Sequence, residues 1–423
     1  MPTISPPLID VAICATSKAS CVPTLTQEAQ LLVWCARTSV SEALRQQIRA
    51  SVRKPLDWPL FSKLALRHGV GVLVYRNLHS VCPTMVPLEI LQQLKRYVQA
   101  SALRNTMLAQ ELIVLVAALS ARGVAALPFK GPTLAVAAYG DVMLRECGDL
   151  DFIIRQDDIP IARQVLIQQG YRLKSFDAPD GDVCDEAFHY FTKHDGLLEV
   201  DIQWMMARRL FAFRLDRKAF WQRVRPMTIS NHSIPTLSSE DLVIVLCVHG
   251  TKHAWEQLKW VVDIAELLRA HPGIDWTHIL GAASALRCRR MVYLGLSLAH
   301  ELFDAPLPRT ILHSIESDPD LARISPLMPK SLLRETFSGI DEKDGEALYF
   351  SLKDSWREQW LYGLSLCREG NIRVLHSPLP WCRLQRYLQG LYWAMYPFYR
   401  FAVRCLPSVR ARRAIVKWMN YAR

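Results

Sequence analysis

Apolar positions recur at helical spacing through residues 27–52 and again through 57–79, as expected of helices with one buried face. Pro87 can open a further helical stretch at its first turn. This stretch runs through EILQQLKRYVQASALRNTMLAQELIVLVAALSA to Gly123, a residue suited to the left-handed position that ends a helix. The period changes at Val124. VAALPF reads as a short buried strand, Lys130-Gly131-Pro132 as a turn, and PTLAVAAYG as a short helix behind it. DLDFIIR predicts a strand, QDDIPIARQVLIQQG a helix closed by Gly170, and YRLKSF another strand. AFHYFTK and LLEVDIQW flank His194-Asp195-Gly196, and an Asp-Gly between two alternating runs predicts a hairpin. Helical spacing returns after Ser239, which is placed to cap DLVIVLCVHGTKHAW. The Pro- and Ser-containing stretch 307–332 reads as a connector.

The pattern predicts an α+β protein, a mixed β-sheet module embedded between helical N- and C-terminal regions. The expected divisions are a helical region over 1–122, the sheet module over 123–235, a helical domain packed on it over 236–330, and a helical C-terminal region over 331–423.

Composition narrows the class. Hydrophobic residues make up 50% and charged residues 22% of the 423, a globular balance. The 11 cysteines are scattered without a C-x-x-C, which excludes a zinc ribbon or a thioredoxin-like pair. The first residues lack a basic segment followed by an apolar one, so a secretory leader is not expected, and reduced thiols in a cytoplasmic protein are.

The net charge of +11 is not spread over the chain. Residues 371–423 hold ten Lys/Arg and no Asp or Glu, leaving 41 basic and 40 acidic side chains in the rest. A broad nucleic-acid footprint on the body is thereby excluded. The tail has three competing readings: a basic amphipathic segment on the anionic inner membrane surface, a binder of a polyanion such as RNA, or a terminal helical hairpin docked on the body. Its least charged run, LQGLYWAMYPFY, is too short to span a bilayer.

The candidate chemistry lies in the sheet module. Alternation along a strand puts Asp149 and Asp151 on one face of DLDFIIR, and Glu199, Asp201 and Gln203 on one face of EVDIQW. Carboxylates gathered on a semi-buried sheet repel one another, and a cation is the usual reason they are kept. Oxygen ligands of this kind suit Mg²⁺, with Mn²⁺ an alternative of the same preference. Asp-x-Asp alone also suits a solvated strand end. His249 and His253 have metal-ligand spacing, but His-Gly-Thr-Lys-His lacks the glutamate of a zinc protease, and packing histidines are expected.

Lys130-Gly131, Tyr139, Arg145, Gly148-Asp149-Leu150-Asp151, Gly170-Tyr171 and Val200-Asp201-Ile202-Gln203-Trp204 together resemble a bacterial family of uncharacterised nucleotidyltransferases of the DNA polymerase β-like superfamily. The resemblance covers residues 123–205. It reaches more weakly to Trp58, Ala65 and His68-Gly69-Val70 before, and to His249, His253, Trp255, Leu258, Trp260 and Asp263 after. It implies a five-stranded mixed sheet with the metal site at its edge, and Mg²⁺-dependent transfer of a nucleoside monophosphate from an NTP to an acceptor, with release of pyrophosphate. Asp149, Asp151 and Asp201 match the catalytic, metal-binding acids of a two-ion site. Lys130, Gly131 and Arg145 are the candidate nucleotide-binding residues, with a salt bridge as the competing role for Arg145. The chain departs from the pattern in having Lys130-Gly131 where Gly-Ser is usual, and Gln203 where histidine is common. The acceptor is left open among small molecules, peptides and macromolecules. A non-catalytic nucleotide-binding or scaffold protein, using the tail to engage a membrane or partner, is the alternative.

Overall fold

The computed structural model describes residues 25–174, 188–194, 196–204, 217–333, 348–355 and 358–359. The basic tail, the end of YRLKSF and Asp195 therefore lie outside the described residues.

The N-terminal periodicity resolves into four helices, α1 (Gln27–Cys35), α2 (Glu42–Val52), α3 (Trp58–Arg67) and α4 (Gly71–Val81). Thr26, Ser41 and Asp57 cap the first three by accepting a backbone N–H of the first turn. α5 (Leu88–Ala121) follows Pro87 and ends at Gly123, where φ is +72°. There the Gly123 N–H bonds to Ser120 O and the Val124 N–H to Leu119 O, the paired closure that a left-handed glycine permits. By length and composition α5 could cross a membrane. In the fold its first half joins one hydrophobic core through Leu91 and Leu94, and its second half joins another through Leu108, Leu112, Leu115 and Leu119.

Five strands follow: β1 (Ala126–Pro128), β2 (Leu150–Ile154), β3 (Arg172–Leu173), β4 (Phe188–Lys193) and β5 (Leu198–Gln203), with α6 (Pro132–Tyr139) and α7 (Ile159–Gln168) between them. Their order is β1-β2-β5-β4-β3. β2 and β5 run parallel and the other neighbours antiparallel, so the sheet is mixed as expected. The predicted hairpin is β4–β5. Leu150, Phe152, Ile154, Val200 and Ile202 fill the core under α5 and α7, while Ile153 on the opposite face joins the larger core of the helical regions.

After α8 (Arg217–Gln222) and a two-stranded sheet, β6 (Arg225–Ile229) and β7 (His232–Thr236), the chain is helical: α9 (Ser239–Lys252), α10 (Leu258–Ala270), α11 (Trp276–Ala285) and α12 (Arg289–Phe303). The cap of α9 is Ser238, one residue before the expected Ser239. Its hydroxyl accepts the Asp241 N–H and donates to the Asp241 carboxylate, a reciprocal pair that fixes the start. The stretch read as a connector carries α13 (Arg309–Glu316), α14 (Pro319–Ile324) and α15 (Met328–Leu332). Its prolines sit at helix starts, where the missing N–H costs nothing, and so they punctuate helices instead of preventing them.

Candidate active site

β2 and β5 are adjacent and in a register that sets Asp151 opposite Asp201. With Asp149 at the start of β2, one ligand atom of each aspartate lies within 4.8 Å of the others. The acids sit on neighbouring inner strands, not at the sheet edge that the resemblance implied, because β1 pairs with the outer side of β2. Asp151 is 3% exposed, and among the described residues its Oδ2 has no hydrogen-bond partner; the same holds for the buried Oδ1 of Asp201. Burial, then Asp151 and Asp149, raise the Asp201 pKa to about 7. Burial and Asp149 also raise that of Asp151, against the pull of Lys130.

Lys130 holds one end of this cluster. Its Nζ donates to Asp151 Oδ1 at 3.0 Å. The turn that carries it is tight: Thr133 donates to Lys130 O at 2.6 Å, and Phe129 N–H bonds to Asp151 O. Gly131 follows with φ +58° and ψ −135°. A Cβ there would lie 2.8 Å from Asp149 O, so the glycine lets the turn lie against the strand that carries the acids.

Arg145 is not free for a nucleotide. Its Nε and Nη2 donate to the two oxygens of Asp263 at 2.7 and 3.0 Å, and its Nη1 donates to Glu146 O. Tyr139 also donates to Asp263, at 2.7 Å. Arg145 is 6% exposed and Asp263 0%, so the closed pair fastens the loop before Asp149 to α10. Of its two expected roles, the salt bridge is the one the fold builds, and its partner is Asp263 and not the acid cluster.

Asn105 completes the support and was not anticipated. Its amide donates to Val142 O and Arg145 O at 2.7 Å each, and its oxygen accepts the Cys147 N–H at 3.1 Å. Arg104, beside it on α5, donates to Gly148 O. A signal existed: Asn105, like Ser101 one turn before it, is a polar residue on the stripe of α5 that continues with Leu108, Leu112, Leu115 and Leu119.

The helical wall faces the acids with cations. Lys252 on α9 lowers the Asp201 pKa, and Lys259 on α10 is within electrostatic reach of Asp149. His249 and His253 lie 4.7 Å apart between ring centroids, and both pack against Trp260. Burial, then Lys130, hold His249 neutral; His253 keeps more of its ring open and is displaced in the same direction by burial and Lys252. They pack as expected, and the clustered metal-ligating groups among the described residues are the three aspartates.

A family described as uncharacterised nucleotidyltransferases matches residues 54–304. That span exceeds half of the chain and runs from just before α3 to the residue after α12. The chain belongs to this family. The matched span of this nucleotidyltransferase includes Asn105, the three aspartates, Lys252, Lys259 and Asp263. A solved structure described as an antigenic nucleotidyltransferase-like protein from Paracoccidioides brasiliensis is similar over 49% of this chain and 96% of its own, at 15% identity. Its TM-score of 0.31 is too low to carry an argument. No curated protein matches.

Proposed function

We propose that this nucleotidyltransferase moves a nucleoside monophosphate from an NTP to a hydroxyl or phosphate acceptor and releases pyrophosphate, in a reaction that depends on Mg²⁺. The observation that carries this reading is the pair of buried carboxylate oxygens on Asp151 and Asp201 that have no hydrogen-bond partner among the described residues, within a three-aspartate cluster. A buried polar atom left without a hydrogen bond costs about 1–3 kcal/mol, and a protein has reason to keep it where a cation completes the site. The donor set is oxygen only, which fits Mg²⁺.

Asp149, Asp151 and Asp201 would hold the ion or ion pair, which would supply charge for the triphosphate and a lowered pKa for the attacking acceptor. The residues of the chain do the rest. The acceptor oxygen forms a bond to the α-phosphorus as the bond to the β-phosphate bridging oxygen breaks. Asp201 would either hold the ion on the acceptor side or take the acceptor proton. Lys130 neutralises Asp151 in the metal-free protein. With the charge of the acids taken up by bound cations, the Lys130 ammonium would be available to the phosphates. Arg145, Asp263 and Asn105 keep Asp149 at its station.

The test is incubation of α-labelled NTPs with Mg²⁺ and a cell extract as acceptor source, with the wild type and Asp151→Asn in parallel. Label transfer and pyrophosphate release by the wild type alone are expected. Equal transfer by both proteins would refute the assignment.

A further inference from the structure

Lys259 is the second residue of α10 and stands in its first turn. Three conditions there disfavour a cation. The start of a helix carries positive partial charge. The side chain is largely withdrawn from water, and Arg145 lies close; burial first, then Arg145, lower the Lys259 pKa. Glu146, Asp263 and Asp149 attract the ammonium, yet among the described residues none reaches it as an ion pair or hydrogen-bond acceptor.

The N-terminal helices nevertheless build a path for this side chain. His68 Nδ1 accepts the Leu258 N–H at 3.3 Å and His68 O accepts the Lys259 N–H at 3.1 Å, which fixes the start of α10. Burial lowers the His68 pKa to about 4, so the ring stays neutral and able to accept. Gly69, at φ +65°, comes next. A Cβ on Gly69 would lie 2.5 Å from Lys259 Cδ and 3.4 Å from Glu146 Oε2, so the lysine stem crosses a bare glycine toward the loop that leads to Asp149. His68-Gly69 thus fixes the start of α10 and leaves room for the Lys259 stem beside Glu146.

We infer that Lys259 is a substrate-binding residue whose ammonium meets the phosphate chain of the nucleotide beside Asp149. This rests on the nucleotide reading proposed above. Lys130 is paired with Asp151, Lys130 and Lys252 both lower the Asp201 pKa, and Lys259 is within electrostatic reach of Asp149. A polyphosphate would supply the hydrogen-bonded partner that the Lys259 ammonium lacks among the described residues, and a charged hydrogen bond formed away from water is a strong one.

The experiment is calorimetric titration of the four ribonucleoside triphosphates with Mg²⁺, followed by the monophosphate and nucleoside of the tightest binder. Lys259→Met should weaken triphosphate binding by about tenfold to a hundredfold and leave the nucleoside unaffected. Gly69→Ala, which displaces the stem without removing the charge, should weaken the triphosphate in the same way and supplies the answer if Lys259→Met fails to fold. Mn²⁺ binding without nucleotide should persist in both variants. Wild-type triphosphate affinity in the folded variants, or an equal loss for triphosphate and nucleoside, would overturn the lysine assignment and leave the nucleotide reading standing. Absence of triphosphate binding by the wild type would remove both.

Discussion

Asp201 pairs a carboxylate's role with a pKa of about 7, close to neutrality. An unfolded aspartate titrates near about 3.9. Between these values the folded, metal-free protein holds a proton that the unfolded chain has released. Stability from this group is therefore complete below about pH 4 and is lost as pH rises through about 7. Asp201→Asn removes the titration. In chelator-treated buffer the melting temperature of the variant should exceed that of the wild type near about pH 8, and the two should converge toward about pH 5. Parallel curves across that range would mean that Asp201 ionises normally. Metal and proton compete for the same oxygens, so cation affinity should rise across the same window.

At the scale of elements, the turn after β1 and the start of α10 bear on the site from two sides. Gly131→Ala places a Cβ against Asp149 O at a left-handed φ, so it should cost about 1–3 kcal/mol in denaturant unfolding and weaken cation binding as well. A variant with normal stability and cation affinity would show that the turn yields freely. Asp263→Asn strands the buried Arg145 charge, and a loss of about 3–5 kcal/mol is expected. The double change Arg145→Met with Asp263→Leu should recover much of it; equal loss in single and double variants would argue against the buried-charge explanation. These elements also show what was legible beforehand. Alternation in DLDFIIR and EVDIQW placed the acids on shared faces, and Asp-Gly marked the β4–β5 turn, because both signals are local. Parallel pairing of β2 with β5 joins strands with a helix and two further strands between them in the chain, and no local pattern encodes it. Arg145 stayed ambiguous for the same reason: its partner is 118 residues away. The prolines of 307–332 misled because a helix start and a loop both accept them.

Across the whole molecule, the excess positive charge and the aspartate cluster are segregated. The aspartates, their lysines and the buried locks lie within the family span 54–304, and the excess positive charge lies in residues 371–423. Deleting residues 371–423 lowers the net charge from +11 to +1 and should abolish salt-sensitive retention on anionic vesicles or RNA, if the full chain shows any, while leaving nucleotide binding intact. Retention that survives the deletion would place the polyanion surface on the body. The central claim is that Asp149, Asp151 and Asp201 hold divalent cations for nucleotide chemistry. The most direct measurement is electron paramagnetic resonance of Mn²⁺ titrated into the wild type, Asp149→Asn and Asp151→Asn, with and without an NTP. The expected result is saturable Mn²⁺ binding by the wild type, tightened by the NTP and lost in both variants, with thermal stability in metal-free buffer unchanged or raised as like-charge repulsion is relieved. Equal Mn²⁺ binding by folded Asp151→Asn would contradict the account.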